Sequence, residues 1–88
     1  MKFMVQSEQV PDLDAAQRTQ LYASMARFYG EIPEGVTLET DYIRADRQGS
    51  WSVLEVPDRA ALDEILAPFE GLVRVTVTEV ISGDQASA

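Results

Sequence analysis

The chain has 88 residues, of which 15 are acidic and 7 are basic, so its net charge is −8. Nucleic acids and anionic membranes attract proteins through clustered Lys and Arg, so this balance argues against both as partners. The chain contains no His and no Cys, which excludes disulfides, thiol catalysis and thiolate metal sites, and we expect neither a metal nor a cofactor.

The first residues, MKFMV, form a short apolar stretch that turns polar at Gln6 and Glu8. This pattern predicts a strand over residues 2–8 and lacks the longer apolar core of a signal peptide. No stretch reaches membrane-spanning length, so we expect a cytoplasmic protein that does not bind membranes.

A first helix is predicted from about residue 13 to Tyr29. Asp14, followed three residues later by Gln17, resembles a capping box at its start. Gly30 suits a left-handed cap at its end. An apolar stripe at helical spacing lies between them: Leu21, Met25 and Phe28.

Residues 36–46 alternate as a second strand. One predicted face carries Val36, Leu38, Thr40, Tyr42 and Arg44, and the other carries Thr37, Glu39, Asp41, Ile43 and Ala45. The carboxylates favour an edge strand. Arg47-Gln48-Gly49 predicts a hairpin turn with Gly49 at positive φ, and residues 50–56 form the return strand.

Asp58 is the predicted N-cap of a second helix, which carries the apolar stripe Leu62, Ile65, Leu66 and Phe69. Residues 72–81 form the last predicted strand, with Val73, Val75 and Val77 on one face. Residues 82–88, SGDQASA, have nothing to bury. We therefore expect one domain over residues 1–81 and a flexible tail over 82–88.

Both halves of the chain are thus predicted to form a strand, a helix and a strand. Right-handed crossovers place both helices on one face of a common sheet. The predicted fold class is α+β, a ferredoxin-like βαββαβ arrangement with a four-stranded antiparallel sheet whose first and third strands are central.

Several segments together resemble a known family: MKFMV at the start, PEGV at residues 33–36, WSVLEV at 51–56 and ALDEILAPF at 61–69. The chain resembles short bacterial proteins of unassigned function in the dimeric α+β barrel superfamily, alongside antibiotic-biosynthesis monooxygenases and muconolactone isomerases. The resemblance implies a homodimer whose two sheets face each other with helices outside. It also implies a small organic molecule between the sheet and helices of each subunit, but it carries over no catalytic residue.

The residues themselves also favour a dimer. Helices on one face leave the other face of the sheet uncovered, and we expect that face to mix Leu72 and Val80 with Arg74, Thr76 and Thr78. Such a composition suits a partly polar subunit interface. The alternative is a monomer whose sheet is wet on one side.

Six residues are candidates for ligand binding. Arg18, Tyr22, Met25 and Tyr29 follow neighbouring lines of the first helix, where Arg18 would offer a cation to an anionic or carbonyl-bearing ligand. The alternative for Arg18 is a surface ion pair with Asp14. Tyr42 and Trp51 would be aromatic walls for a flat molecule, and the alternative for Trp51 is core packing. Asp41 and Arg44 are expected on opposite faces, which favours simple solvation of an edge strand.

The resulting hypothesis is a homodimeric barrel that binds a small apolar organic molecule between sheet and helices. As an enzyme it would work without a cofactor, as an isomerase, cyclase or monooxygenase. The alternative is a non-catalytic binding or interaction module with a filled core. A cavity of a few hundred Å³ lined by Tyr22, Tyr29, Met25 or Trp51 distinguishes the two.

Overall fold

The computed structural model describes residues 1–87. The elements in chain order are β1 (Lys2–Gln9), α1 (Ala15–Gly30), β2 (Thr37–Ile43), β3 (Gly49–Glu55), α2 (Arg59–Leu66), β4 (Val73–Glu79) and α3 (Gly83–Ser87). A short 3-10 turn over Ala67–Phe69 continues α2. No helix within residues 1–87 has the length and apolar content needed to cross a membrane.

The four strands form one antiparallel sheet in the order β2-β3-β1-β4. This is the predicted ferredoxin-like arrangement, with β1 and β3 in the centre, and the prediction is confirmed. The register across the centre places Val5 opposite both Ser52 of β3 and Val77 of β4.

Both helices pack on the same face of the sheet, as predicted. Phe3, Val5 and Leu54 form the core on that face together with Leu62 of α2, which is fully buried. Phe28 of α1 packs against the same cluster. Burial of large side chains by both helices is the main source of stability in a domain of this size.

Leu72 was expected on the uncovered face, and this prediction is wrong. β4 begins one residue later, at Val73, so Leu72 precedes the alternation of the strand. Its side chain lies in a second core cluster with Leu13 and Leu21. Gly71, which precedes Leu72, has a φ of 79°, a conformation accessible mainly to glycine.

The helix starts follow the sequence closely. Asp14 and Gln17 form the predicted capping box, and Asp58 accepts a hydrogen bond from the Ala61 amide at the start of α2. The predicted left-handed cap at Gly30 is wrong. Gly30 remains helical, and Glu31 ends α1 by donating its backbone N–H to the Arg27 carbonyl.

The simple alternation expected for β2 is interrupted by a β-bulge between Leu38 and Thr40. A bulge inserts one extra residue, so the faces switch along the strand. Leu38 therefore lies opposite Leu54 on the helix side, and Asp41 lies opposite Ser52 on that same side. The prediction that grouped Leu38 with Tyr42 is wrong for this reason.

The β2–β3 hairpin turn also differs from expectation. Arg47, rather than Gly49, takes the left-handed conformation, with φ of 62°. Gly49 is the first residue of β3, and a Cβ atom there would lie 2.3 Å from the Ser7 carbonyl oxygen. Glycine is required at this position because of a close backbone approach and not because of its φ angle.

The segment expected to be a flexible tail contains a short helix, α3. Ser82 and Gln85 begin it with reciprocal hydrogen bonds between side chain and backbone. Ala88, the last residue of the expected tail, lies outside the described residues.

We call the side of the sheet away from the helices the bare face. Tyr42 of β2 and Trp51 of β3 are cross-strand neighbours there, and they are 68% and 45% exposed. Gln6 and Thr76 continue the same row across the sheet. The alternative that Trp51 packs in the core is therefore wrong.

Candidate ligand-binding chamber

A small chamber lies between the sheet and the helices, and its volume of about 110 Å³ is less than the few hundred Å³ expected for a ligand-binding subunit. Most of its lining is apolar and comes from α1, the sheet and α2, including Met25, Phe28, Leu54 and Ile65. Apolar walls with few polar groups are typical of small-molecule sites. For scale, a dry cavity of about 150 Å³ in another protein holds benzene.

A second space, which we call the cleft, adjoins the chamber and has a volume of about 690 Å³. Its outer wall contains Tyr22 of α1 together with Arg44 and Arg47 of the β2–β3 hairpin. Six residues line both spaces: Ser7, Leu21, Met25, Ile43, Ser50 and Val73. The chamber and the cleft therefore form one continuous site with an inner and an outer part.

Hydroxyl groups of four residues interrupt the apolar lining of the chamber: Ser7, Tyr29, Ser50 and Ser52. Tyr29 and Ser52 each donate a hydrogen bond of 2.7 Å to a different oxygen of Asp41. Ser7 Oγ and Ser50 Oγ lie 2.7 Å apart and share one hydrogen bond. The chamber wall therefore contains two hydrogen-bonded groups, Tyr29–Asp41–Ser52 and Ser7–Ser50, in an otherwise apolar lining.

The register of the sheet explains this arrangement. Ser7 pairs with Ser50, and Asp41 pairs with Ser52, so both contacts are cross-strand neighbours on the helix side. The bulge in β2 is what brings Asp41 to that side, within reach of Tyr29 on α1. Arg44, which directly follows β2, contributes to the lining of the cleft.

Hydrogen-bond capacity defines what this site can offer a ligand. The hydroxyl protons of Tyr29 and Ser52 are committed to Asp41, so their oxygens remain as acceptors. One of the two serine protons in the Ser7–Ser50 pair is used between them. The other remains available as a donor, and both serines line the chamber.

Tyr29 has an altered acidity. Partial burial, the hydrogen bond to Asp41 and the negative charge of that carboxylate raise the pKa of Tyr29 to about 12. All three causes disfavour the phenolate. Tyr29 therefore keeps its proton throughout the neutral and mildly alkaline range.

We expect a spectroscopic titration to detect this coupling. In Asp41→Asn, the pKa of Tyr29 should fall toward its ordinary value of 10, because the carboxylate charge is gone. The ultraviolet absorbance of tyrosinate measures it, with Tyr29→Phe assigning the Tyr29 signal. An unchanged titration curve in Asp41→Asn would contradict the coupling.

The same shift predicts the pH dependence of stability. The raised pKa means that the folded state holds the Tyr29 proton more tightly than the unfolded state. The contribution is therefore complete below pH 10 and is lost as the pH rises toward 12. Tyr29→Phe should show a shallower loss of stability over that window.

Three of the six residues predicted for ligand binding lie at the site and three do not. Tyr29 lines the chamber, Tyr22 lines the cleft and Met25 lines both. Arg18 instead donates to the Leu13 carbonyl at the start of α1. Tyr42 and Trp51 lie on the bare face, separated from the chamber by the sheet.

Sequence reasoning missed the serines of the chamber and the arginines of the cleft. Ser50, Ser52 and Leu54 alternate on β3, so small polar residues at core-facing positions were a readable signal. Arg47 carried no such signal. Within residues 1–87, no group of three acidic side chains is arranged to hold a metal ion.

Fold and site together define a ferredoxin-like α+β protein with a chamber between one sheet and its helices. The pattern of a family described as a domain of unknown function, DUF3303, matches residues 1–88, and the chain belongs to that family. No curated protein has a matching sequence.

Solved structures share the fold. A muconolactone isomerase superposes with a TM-score of 0.71 at 24% identity, covering 93% of this chain and 90% of the other. Rv0793 from Mycobacterium tuberculosis gives 0.53 at 22% identity, covering 93% and 97%. A proposed antibiotic biosynthesis monooxygenase from Deinococcus radiodurans gives 0.50 at 11% identity, covering 94% and 95%. At these identities the likeness establishes the fold alone.

Proposed function

We propose that this chain is a homodimeric α+β barrel protein that binds a small, largely apolar organic molecule and isomerises it without a cofactor. The observation that carries the proposal is the Ser52–Asp41–Tyr29 hydrogen-bonded group at the wall of an apolar chamber. A half-buried carboxylate that accepts a hydrogen bond from a hydroxyl can take up a proton through that hydroxyl. The isomerase named among the structural neighbours is consistent with this class of reaction.

The ligand proposed for the chamber carries one carbonyl oxygen on an apolar ring. The free proton of the Ser7–Ser50 pair donates to that oxygen. A donor fixed in an apolar site stabilises the negative charge that develops there during enolisation. Because the chamber of about 110 Å³ is smaller than a benzene-sized cavity, such a ring would occupy the chamber together with the adjoining part of the cleft.

The proposed reaction moves one proton and needs no oxidant. The C–H bond beside the carbonyl breaks, its proton passes to Ser52 Oγ, and the Ser52 hydroxyl proton passes to Asp41. The electron pair moves onto the carbonyl oxygen, held by the Ser7–Ser50 proton. Return of the proton at the far carbon of the adjacent double bond gives the conjugated isomer.

The homodimer is supported by the composition of the bare face. Two large aromatic side chains, Trp51 and Tyr42, stand exposed side by side in its central and edge strands. Aromatic residues at this density are typical of interface centres. In the proposed dimer a second copy covers this row, and the helices and the cleft remain on the outside.

A non-catalytic binding module is the second candidate. It is favoured by one observation: Asp41 is not itself among the residues that line the chamber, so any ligand contacts it only through Ser52 or Tyr29. In that case the chamber would retain a ligand and leave it unchanged.

Cyclohex-3-enone is a direct probe of the proposed reaction, since it is a small ring with one carbonyl and an unconjugated double bond. We expect its conversion to the conjugated enone, followed by ultraviolet absorbance, to be accelerated by the protein. Asp41→Asn and Ser52→Ala should each lower the rate by about 100-fold, the usual size of a lost acid–base group. Thr19→Ala, on the exposed side of α1, is the matched control and should be neutral.

Backbone amide shifts in NMR spectra separate binding from catalysis. Probe-induced shifts at chamber residues without conversion would favour the binding module over the isomerase. Absence of both would contradict the proposed function altogether.

A further inference from the structure

The lining of the cleft is positively charged, although the chain as a whole is negatively charged. The chain carries a net charge of −8, yet Arg44 and Arg47 line the cleft and no described residue of its lining is acidic. A strongly acidic protein repels anions, so a local pair of arginines at a site entrance changes which ligands can approach it.

The two arginines are not equivalent. Arg44 forms a 2.6 Å ion pair with Asp46 on the hairpin. The hydrogen bond from the Gln48 amide, and then Arg44, hold the pKa of Asp46 below its usual value. Within residues 1–87, Arg47 lies in no ion pair. The hairpin therefore presents one uncompensated positive charge to the cleft, which suits a ligand with a single negative charge.

The backbone at Arg47 supports a functional role for its side chain. Its φ of 62° is disfavoured for a residue with a Cβ atom, and glycine is the usual residue there. A side chain kept at a strained position is a reason to look for a function.

We infer that the cleft recognises the carboxylate of a small organic acid, with Arg47 as its main partner and Tyr22 and Arg44 beside it, while the apolar end of the acid occupies the chamber. This inference rests on the proposed function for the location of the apolar end. Arginine suits the task because its planar guanidinium binds both oxygens of a carboxylate. A continuous site with an apolar inner part and a cationic outer part matches such a molecule from end to end.

Cyclopentylacetate and cyclopentylacetamide test this inference, since they differ in charge and hardly in shape. Dissociation constants come from NMR titration of the labelled protein. We expect the acid to bind about 10-fold more tightly than the amide, the effect of one charge-assisted contact. In Arg47→Gly the two affinities should become nearly equal, and Arg44→Gln should have a smaller effect.

Two controls keep the result interpretable. Arg74→Gln removes an arginine of β4 that lies opposite Glu8 of β1 and outside the cleft, so it should leave the ratio of the two affinities unchanged. Arg47→Gly should melt at the same or a higher temperature than the wild type, because glycine accepts a φ of 62°, so weaker binding cannot be ascribed to unfolding.

The outcomes distinguish this inference from the proposed function. Equal affinity for acid and amide, with shifts at chamber residues, would overturn the carboxylate inference and leave chamber binding intact. An acid preference that survives in Arg47→Gly, or tighter binding of cyclopentyl phosphate than of the acid, would also overturn it. If neither probe shifts chamber residues, the proposed function itself fails.

Discussion

Replacing Gly49 with alanine should lower the free energy of unfolding by about 2 to 3 kcal/mol, the range for overpacking a well-ordered site. The added Cβ would lie 2.3 Å from the Ser7 carbonyl oxygen and 3.0 Å from Cδ of Arg44. The first neighbour is backbone in a central strand, so β1 and β3 must move apart to relieve the contact. For a domain of this size the melting temperature should fall by roughly 10 to 20 °C, which calorimetry or circular dichroism measures.

Gly30→Ala is the matched control, because nothing lies within 4 Å of its added Cβ atom and the residue is helical. It should be neutral or slightly stabilising, since alanine favours a helix more than glycine does. Equal melting temperatures for the two variants would show that the close approach at Gly49 is relaxed at little cost. Gly49→Ala should also disturb the proposed ligand site, because Ser7 lines both the chamber and the cleft and Arg44 lines the cleft.

Periodicity was sufficient to predict the architecture. Alternation in the strands and the stripe around Leu62 each identify one buried face, and right-handed crossovers leave a single way to combine them. The capping residues Asp14 and Asp58 were predictable because their effect is local, within three residues of the cap. Features that depend on residues close together in the chain, such as strands, helices and helix caps, could thus be predicted from the sequence.

The errors have a different physical origin. The bulge after Leu38 depends on how β2 pairs with β3, and no residue type within the segment predicts it. Arg47 takes the left-handed conformation that was expected of Gly49, whereas Gly49 lies in the strand close to the Ser7 backbone. Such features follow from long-range register, which a pattern within one segment does not contain.

The same distinction applies to the candidate site. Tyr29 and Met25 could be predicted because they follow the buried stripe of α1. The contact between Tyr29 and Asp41 joins a helix to an edge strand, and it exists only because of the bulge. Arg18 fitted the helical line equally well, yet its guanidinium turns back to the Leu13 carbonyl. Position on a helix face therefore locates a side chain without fixing the direction of its charged end.

Replacing Trp51 with glutamate should convert the proposed homodimer into monomers. Trp51 lies in a central strand of the bare face, and Tyr42 and Gln6 are its cross-strand neighbours. A carboxylate at this position would be buried unpaired in the interface, which typically costs several kcal/mol and therefore lowers the association constant by orders of magnitude. Sedimentation equilibrium at micromolar concentration should give a mass near 9.8 kDa for the variant and near twice that mass for the wild type.

Gln20→Glu makes the same kind of charge change on the exposed side of α1 and should leave the dimer intact. Trp51 is the only tryptophan, so wild-type fluorescence reports directly on this surface: its emission should shift to longer wavelength on dilution as the interface opens to water. A monomeric wild type at micromolar concentration would refute the dimer, and an emission maximum independent of concentration in a dimer would place the interface elsewhere. Neither result would bear on ligand binding in the chamber, because the sheet separates Trp51 from it. Assembly and ligand binding can therefore be tested as independent properties of one fold.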